Sequence, residues 1–307
     1  MIFITSNLFH YLPFILTGVC VLSLLALIGT VVVMLIIRKK KSKMPTPVPM
    51  AETEAKMPPM ELSMGAAQTI GARENQQDSY TTCMEDKTAL AVVADGMGGL
   101  QNGAEISGIV SYVCNESYSR LVGAPRPEFE LMNMVRSANE QACDYIDKIS
   151  GEKSGSTLVA VYVVAGNLYF TSVGDSRIYL MRNKSLVQLN REHIYAYELN
   201  SKVMNGEMVA EKALNNRERK ALTSYMGMGN LKYVDRNLEP IILQRNDVIL
   251  LSSDGVFNTL SDEEMISILD SAATSEEAAQ SIIDAVNARM KPRQDNATAV
   301  VMFYQRG

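Results

Sequence analysis

The stretch AVVADGMGG, residues 91–99, restricts what this chain can become more than any other. The apolar run from 89 to 94 has the length of a buried strand and stops at Asp95, with Gly96, Gly98 and Gly99 close behind. Glycines after an acid let backbone and carboxylate approach a ligand, although a lone Asp-Gly is also ordinary turn chemistry. Repetition adds weight to the ligand reading. VILLSSDGV, residues 248–256, is a second apolar run ending in Asp-Gly, at Asp254. LYFTSVGDSRIYL sets Asp175 between two strand-like runs, QDNATAVVMF sets Asp295 just ahead of a last one, and ARENQQDSY supplies Asp78. Acids at strand ends or strand starts can meet at one end of a sheet. All are hard oxygen donors unaccompanied by His or Cys, which suits Mg²⁺ or Mn²⁺ and not zinc.

Around these acids the chain mixes element types. Strand patterns cover 89–94, 157–164, 168–173, 177–180, 248–252 and 298–303; helix patterns cover 104–122, 128–149, 262–269 and 275–290. Turn signals at Ala165-Gly166-Asn167 and at Gly174-Asp175 predict successive hairpins. Hairpins separated by helix pairs predict an α+β domain. Residues 193–230 fit this frame least: Asn205-Gly206, a charged helical segment around 211–220, then SYMGMG.

The N-terminal part reads differently. Residues 14–37 carry no charge and are long enough to span a bilayer, and Arg38, Lys39, Lys40, Lys41 and Lys43 follow at once. A cleaved signal peptide fits worse, because the apolar run is too long, no basic segment precedes it and no small-residue cleavage site follows. Basic residues stay on the cytoplasmic side, so the expectation is one transmembrane helix with residues 1–13 outside. Residues 38–61 read as a basic, Pro-rich tether, and 62–307 as the globular domain. The chain's net charge of −5 comes from 34 acids and 29 bases. Five of those bases lie in the juxtamembrane run and no acid precedes it, so the remainder carries 34 against 24, a net −10. An acidic domain without a basic stripe argues against nucleic acid as the partner. Cys20, Cys83, Cys114 and Cys143 have neither metal-type nor redox-type spacing and read as small buried residues.

The ordered series GARENQQDS, VVADGMGG, GST, VGDSRIYL, LLSSDGV and QDNATAVV resembles the metal-dependent protein serine/threonine phosphatases of the PPM, or type 2C, family, in its bacterial branch. The resemblance spans about 62–304. It implies two packed antiparallel sheets flanked by helices on both sides. It implies two Mn²⁺ or Mg²⁺ ions, with Asp95 bridging them, the Gly96 carbonyl on the second, and Asp254 and Asp295 on the first. Asp78 would hold metal-bound water, Asp175 would seat an optional third ion, and Arg73, five residues before Asp78, would bind substrate phosphate. The implied substrates are phosphoserine and phosphothreonine proteins of the cytoplasm, products of a cognate kinase. Two residues depart from the family pattern. Gln77 stands where a Glu is common, and Met97 stands where animal members carry a His. Asn75 and Ser79 read as turn formers. In bacterial members a flap beside the active site lies in the region of 193–230; a variable surface insertion is the competing reading. Two alternatives to an active phosphatase remain, a silent pseudophosphatase acting as a binding module and the distant phosphatases of anti-anti-sigma factors. The GARENQQDS and GST motifs fit the main branch better than the latter.

Overall fold

The computed structural model describes residues 62–97, 102–149 and 154–306. The expected transmembrane helix and tether lie outside these residues. Among the described residues no helix is long and apolar enough to cross a membrane.

Two antiparallel sheets form the centre. One has the order β1 (Leu62–Thr69), β12 (Ala297–Tyr304), β11 (Val248–Ser252), β7 (Arg177–Arg182), β8 (Ser185–Gln188). The other has the order β10 (Ile241–Ile242), β6 (Asn167–Val173), β5 (Leu158–Val164), β3 (Thr88–Met97), β2 (Asp78–Glu85). Short β4 (Gly155–Ser156) pairs with β3, and β9 (Asp235–Arg236) with β6.

The apolar runs are continuous because both faces of each sheet are covered. On β3, Ala89, Ala91 and Val93 point into a core shared with Ile178, Ile249, Leu251, Val300 and Met302 of the facing sheet. The alternate residues Leu90, Val92 and Ala94 point the other way, against α1 (Gly103–Leu121) and α2 (Pro127–Lys148). Likewise Val248, Leu250, Ala299 and Val301 turn outward onto α6 (Asp262–Ser271) and α7 (Ser275–Ala288). The layers are therefore helix, sheet, sheet, helix, as expected. Ala278, Ala279, Ile282, Ile283 and Val286 make the buried stripe of α7, at the helical spacing of three and four. Its first turn is capped by Thr274, which accepts from the Glu277 N–H, while Ser261 and Glu264 form a capping box on α6.

Three expectations are corrected. The turn at 165–167 joins a true hairpin, β5 to β6, but the turn at Gly174-Asp175 does not: β6 belongs to one sheet and β7 to the other. The chain changes sheets there, which is what carries Asp175 to the sheet end. Ser79 is not a turn former but the second residue of β2, paired with Ala94. The helix proposed around 211–220 is only α4 (Ala210–Leu214). The remainder turns back instead, where the Arg219 carbonyl accepts from the Ala196 N–H of α3 (Tyr195–Met204). The edge strands β1 and β2 and the short β8 were not anticipated at all.

Residues 193–230 are stitched to the domain at both ends. Ile194 bridges Leu222, and Ser156 bridges Met226. Leu199, Ala213 and Met226 are buried. The SYMGMG segment packs on α2, with the Gly227 N–H donating to Asn139 Oδ1 at 2.8 Å.

Candidate active site

Register brings the first two acids together. Asp78 opens β2 and stands directly opposite Asp95 near the end of β3. Like charges in a cross-strand pair repel, so this register is unfavourable unless something offsets it. Neighbouring strand ends add two more. Asp254 follows β11 as the first residue of the short α5 (Asp254–Phe257), and Asp295 precedes β12, to which β11 is paired. Asp175 arrives from the sheet-changing turn.

Asp95, Asp175, Asp254 and Asp295 line a single cavity of about 350 Å³, together with Arg73, Gln77, Gly96, Met97, Thr157, Leu222 and Asn296. Asp78 lies behind its wall, almost fully buried at 6% exposure. One of its oxygens, Oδ2, accepts from the hydroxyls of Ser253 and Thr298, both at 2.7 Å. The other, Oδ1, is buried without a hydrogen-bond partner. Gly96 has no room for a side chain: a Cβ there would sit 2.2 Å from the Gly103 carbonyl oxygen. That packing holds its backbone against the cavity.

The electrostatics record the crowding. Burial, partly offset by the two hydroxyls, and then repulsion from Asp254 and Asp295 push the Asp78 carboxyl up to about 6. Asp95 keeps some surface open to the cavity, yet burial is the leading cause that holds it well above the ordinary carboxylate range. Asp78, Asp254, Asp175 and Asp295 add to that rise in that order. Burial, then Asp254 and Glu192, raise Asp175 to about 7. Asp254 is raised by burial and by Asp295, against the pull of Lys220 and Arg73.

This donor set fits a pair of hard divalent cations. It offers oxygen donors only, an orphaned buried carboxylate oxygen and mutual repulsion that positive charge would relieve. Among the described residues, however, no three acids are already closed around one point as a metal cage. Two of them are engaged elsewhere, Asp78 by the hydroxyls of Ser253 and Thr298 and Asp295 by Arg73.

Arg73 stands at the cavity rim. Its Nη2 donates to Asp295 Oδ2 at 2.7 Å, with the two side chains 51% and 41% exposed. A guanidinium has five N–H donors in a fork, so this contact leaves others for a bound anion. His193 does not line the cavity. It is buried, and its Nδ1 accepts from the Gly174 N–H at 3.1 Å. Among the described residues no His lines the cavity.

Several site residues were missed in the sequence. Asn296 is buried and ties three segments together. Its Oδ1 accepts from the Gln77 N–H at 2.9 Å, and its Nδ2 donates to the carbonyls of Ile70 at 2.9 Å and Asn75 at 3.1 Å. It thereby locks the Arg73 loop to the Asp295 loop. Ser253 and Thr298 support Asp78. The signal available was a polar residue beside each acid, in SSDG and DNAT, but nothing there indicates a partner about two hundred residues away.

Residues 67–292 match the family described as protein phosphatase 2C. The chain belongs to that family. A relative within reach of the protein phosphatase 2C domain is the serine/threonine phosphatase stp of Listeria innocua, 30% identical over 222 residues, with 71% of this chain and 85% of the relative covered. The crystal structure of the Mycobacterium tuberculosis serine/threonine phosphatase PstP/Ppp superposes with a TM-score of 0.64 at 25% identity, covering 79% of this chain and 98% of that one. A structure of the PstP catalytic domain in complex with two manganese ions gives a TM-score of 0.61, again at 25% identity, covering 79% of this chain and 98% of that one. The four-layer arrangement is thus that of protein phosphatase 2C.

Proposed function

We propose that this chain is an active, metal-dependent protein phosphatase that hydrolyses phosphoserine and phosphothreonine monoesters. The observation that carries the reading is the convergence of Asp95, Asp175, Asp254 and Asp295 on one cavity with Arg73 at its rim. Relatives named as serine/threonine phosphatases support it, as does the two-manganese structure of PstP.

Asp95 would hold both ions, Asp254 and Asp295 one of them, and the Gly96 carbonyl the other. When bound, such a pair acidifies a water to a nucleophile at neutral pH and screens the phosphoryl oxygens. Asp78, whose Oδ1 is buried without a hydrogen-bond partner, would hold water bound to the ions. Arg73 receives the phosphate dianion through its remaining N–H groups while Asp295 fixes the guanidinium plane. Met97 and Leu222 form the apolar lining, which lowers the local dielectric and strengthens these charge contacts. Among the described residues no imidazole lines the cavity, so the proton for the leaving serine oxygen comes from solvent there. Gln77, with an amide in place of a second acid, contributes no charge.

The proposal includes location. The uncharged stretch 14–37 followed by the basic run supports a single-pass anchor with the phosphatase domain cytoplasmic. Its substrates are then phosphorylated cytoplasmic proteins, products of a serine/threonine kinase. The silent-module alternative has no support from the relatives, which are named as phosphatases. The testing experiment is hydrolysis of phosphoserine and phosphothreonine peptides by the full-length chain with and without Mn²⁺.

A further inference from the structure

The GST motif, Gly155-Ser156-Thr157, supplies no carboxylate, yet it runs from β4, paired with the end of β3, to the start of β5. Thr157 holds Asp95 by its backbone. The Asp95 N–H donates to Thr157 Oγ1 at 3.0 Å, and the Thr157 N–H donates to the Asp95 carbonyl at 2.8 Å. Ser156 adds its hydroxyl to the same carbonyl at 3.1 Å.

On its far side Thr157 Oγ1 lies 2.6 Å from Ser176 Oγ, and Ser176 is the residue after Asp175. Thr157 is 2% exposed and Ser176 fully buried, so this hydroxyl pair is largely shielded from solvent. Ser176 is anchored in turn, its carbonyl accepting from Asn190 Nδ2 at 2.9 Å. The other side of the turn is closed as well. Gly174 has a φ of +103°, a Cβ on it would lie 2.7 Å from Thr157 Cγ2, and its N–H donates to His193. The turn bearing Asp175 is therefore wedged between Thr157 and His193.

We propose that Thr157 and Ser176 form a clip between the sheets, which sets the separation of the Asp175 seat from the Asp95 seat. Asp175 lies in the turn where the chain leaves β6, which shares a sheet with β3, for β7 of the other sheet, so the acid itself belongs to no strand ladder. Thr157 and Ser176 are positioning residues: they act through the backbone of the acids, and the inference rests on the metal-dependent reading above.

The test compares Thr157→Val, which keeps the shape and removes the hydroxyl, with Thr157→Ser, which keeps the hydroxyl, and with Ser176→Ala, all in the full-length chain. Mn²⁺ binding is read by calorimetry, turnover by Mn²⁺ titration with a phosphopeptide, and folding by thermal melt. Loss of a group that orients a metal ligand typically costs 10- to 100-fold in affinity or activity. Thr157→Val and Ser176→Ala should each weaken the weakest Mn²⁺ site by about tenfold and lower kcat at limiting Mn²⁺ with little change in KM. Thr157→Ser should restore both. The double variant should be no worse than the worse single, because both remove one interaction. If Thr157→Val does not fold, Ser176→Ala decides alone. Isotherms like the wild type's, or a lowered melting temperature with unshifted binding, overturn the clip while leaving the phosphatase reading intact. A wild-type chain that binds no Mn²⁺ overturns both.

Discussion

Replacing Asp175 by Asn tests the electrostatic description of the cavity in a way that needs no turnover. Asp175 is enclosed by protein and faces Asp254 and Glu192, which lifts its carboxyl from the ordinary 3.8 to about 7 in the metal-free chain. Below pH 3.8 the folded and unfolded states both hold the proton, so the group contributes nothing. Between 3.8 and about 7 the unfolded chain releases a proton that the folded chain keeps. Folding is then penalised increasingly as pH rises, and the penalty is constant above that window. At about 1.4 kcal/mol per pH unit, the full penalty is roughly 4 kcal/mol. Asp175→Asn removes it. In excess EDTA, urea unfolding should show the two proteins close together near pH 4 and the variant ahead by up to about 4 kcal/mol near pH 8. Saturating Mn²⁺ should reverse the order, because an ion held at Asp175 stabilises only the wild type. A wild-type–variant difference that stays flat with pH would refute the placement of Asp175 among like charges. An unreversed order in Mn²⁺ would return Asp175 to a turn role.

Asp95→Asn, Asp254→Asn and Asp295→Asn should each nearly abolish phosphopeptide turnover while the melting temperature is kept or raised, since removing a charge relieves repulsion; half of wild-type activity in Asp95→Asn would contradict the assignment. Arg73→Ala should lower kcat/KM by about 2–4 kcal/mol, roughly one and a half to three decades, through loss of the phosphate fork. Wild-type-like kinetics would make Arg73 merely the partner of Asp295. For topology, a tag after Gly307 should resist protease in intact cells, or in spheroplasts where there is an outer membrane, and a tag before Met1 should be cut. Cleavage of the C-terminal tag would overturn the cytoplasmic placement.

The double-layered centre was legible because β3, β5, β11 and β12 are covered on both faces, which makes their sequences unbroken apolar runs. The edge strands were not. β2 alternates partly buried and exposed polar residues, as in Thr81 and Thr82, and β1 is built of small residues around Gly65 and Ala66. Both resemble loops when read alone. The acids announced themselves by position, at the ends of strands. Their supports did not: Asn296, Ser253, Thr298 and Ser176 act through partners on other strands, and such pairings exist only once the sheets are assembled. The turn at Gly174-Asp175 shows the same limit, since its residues suit a hairpin equally well and only the sheet order reveals the crossing.

The central claim, that these acids hold divalent ions for phosphoester hydrolysis, is tested most directly by one measurement on the full-length chain. Phosphate release from a phosphothreonine peptide is followed after exhaustive chelation and again after Mn²⁺ is added back. The account predicts that activity vanishes on chelation and returns with Mn²⁺. Turnover unchanged by exhaustive chelation would contradict it.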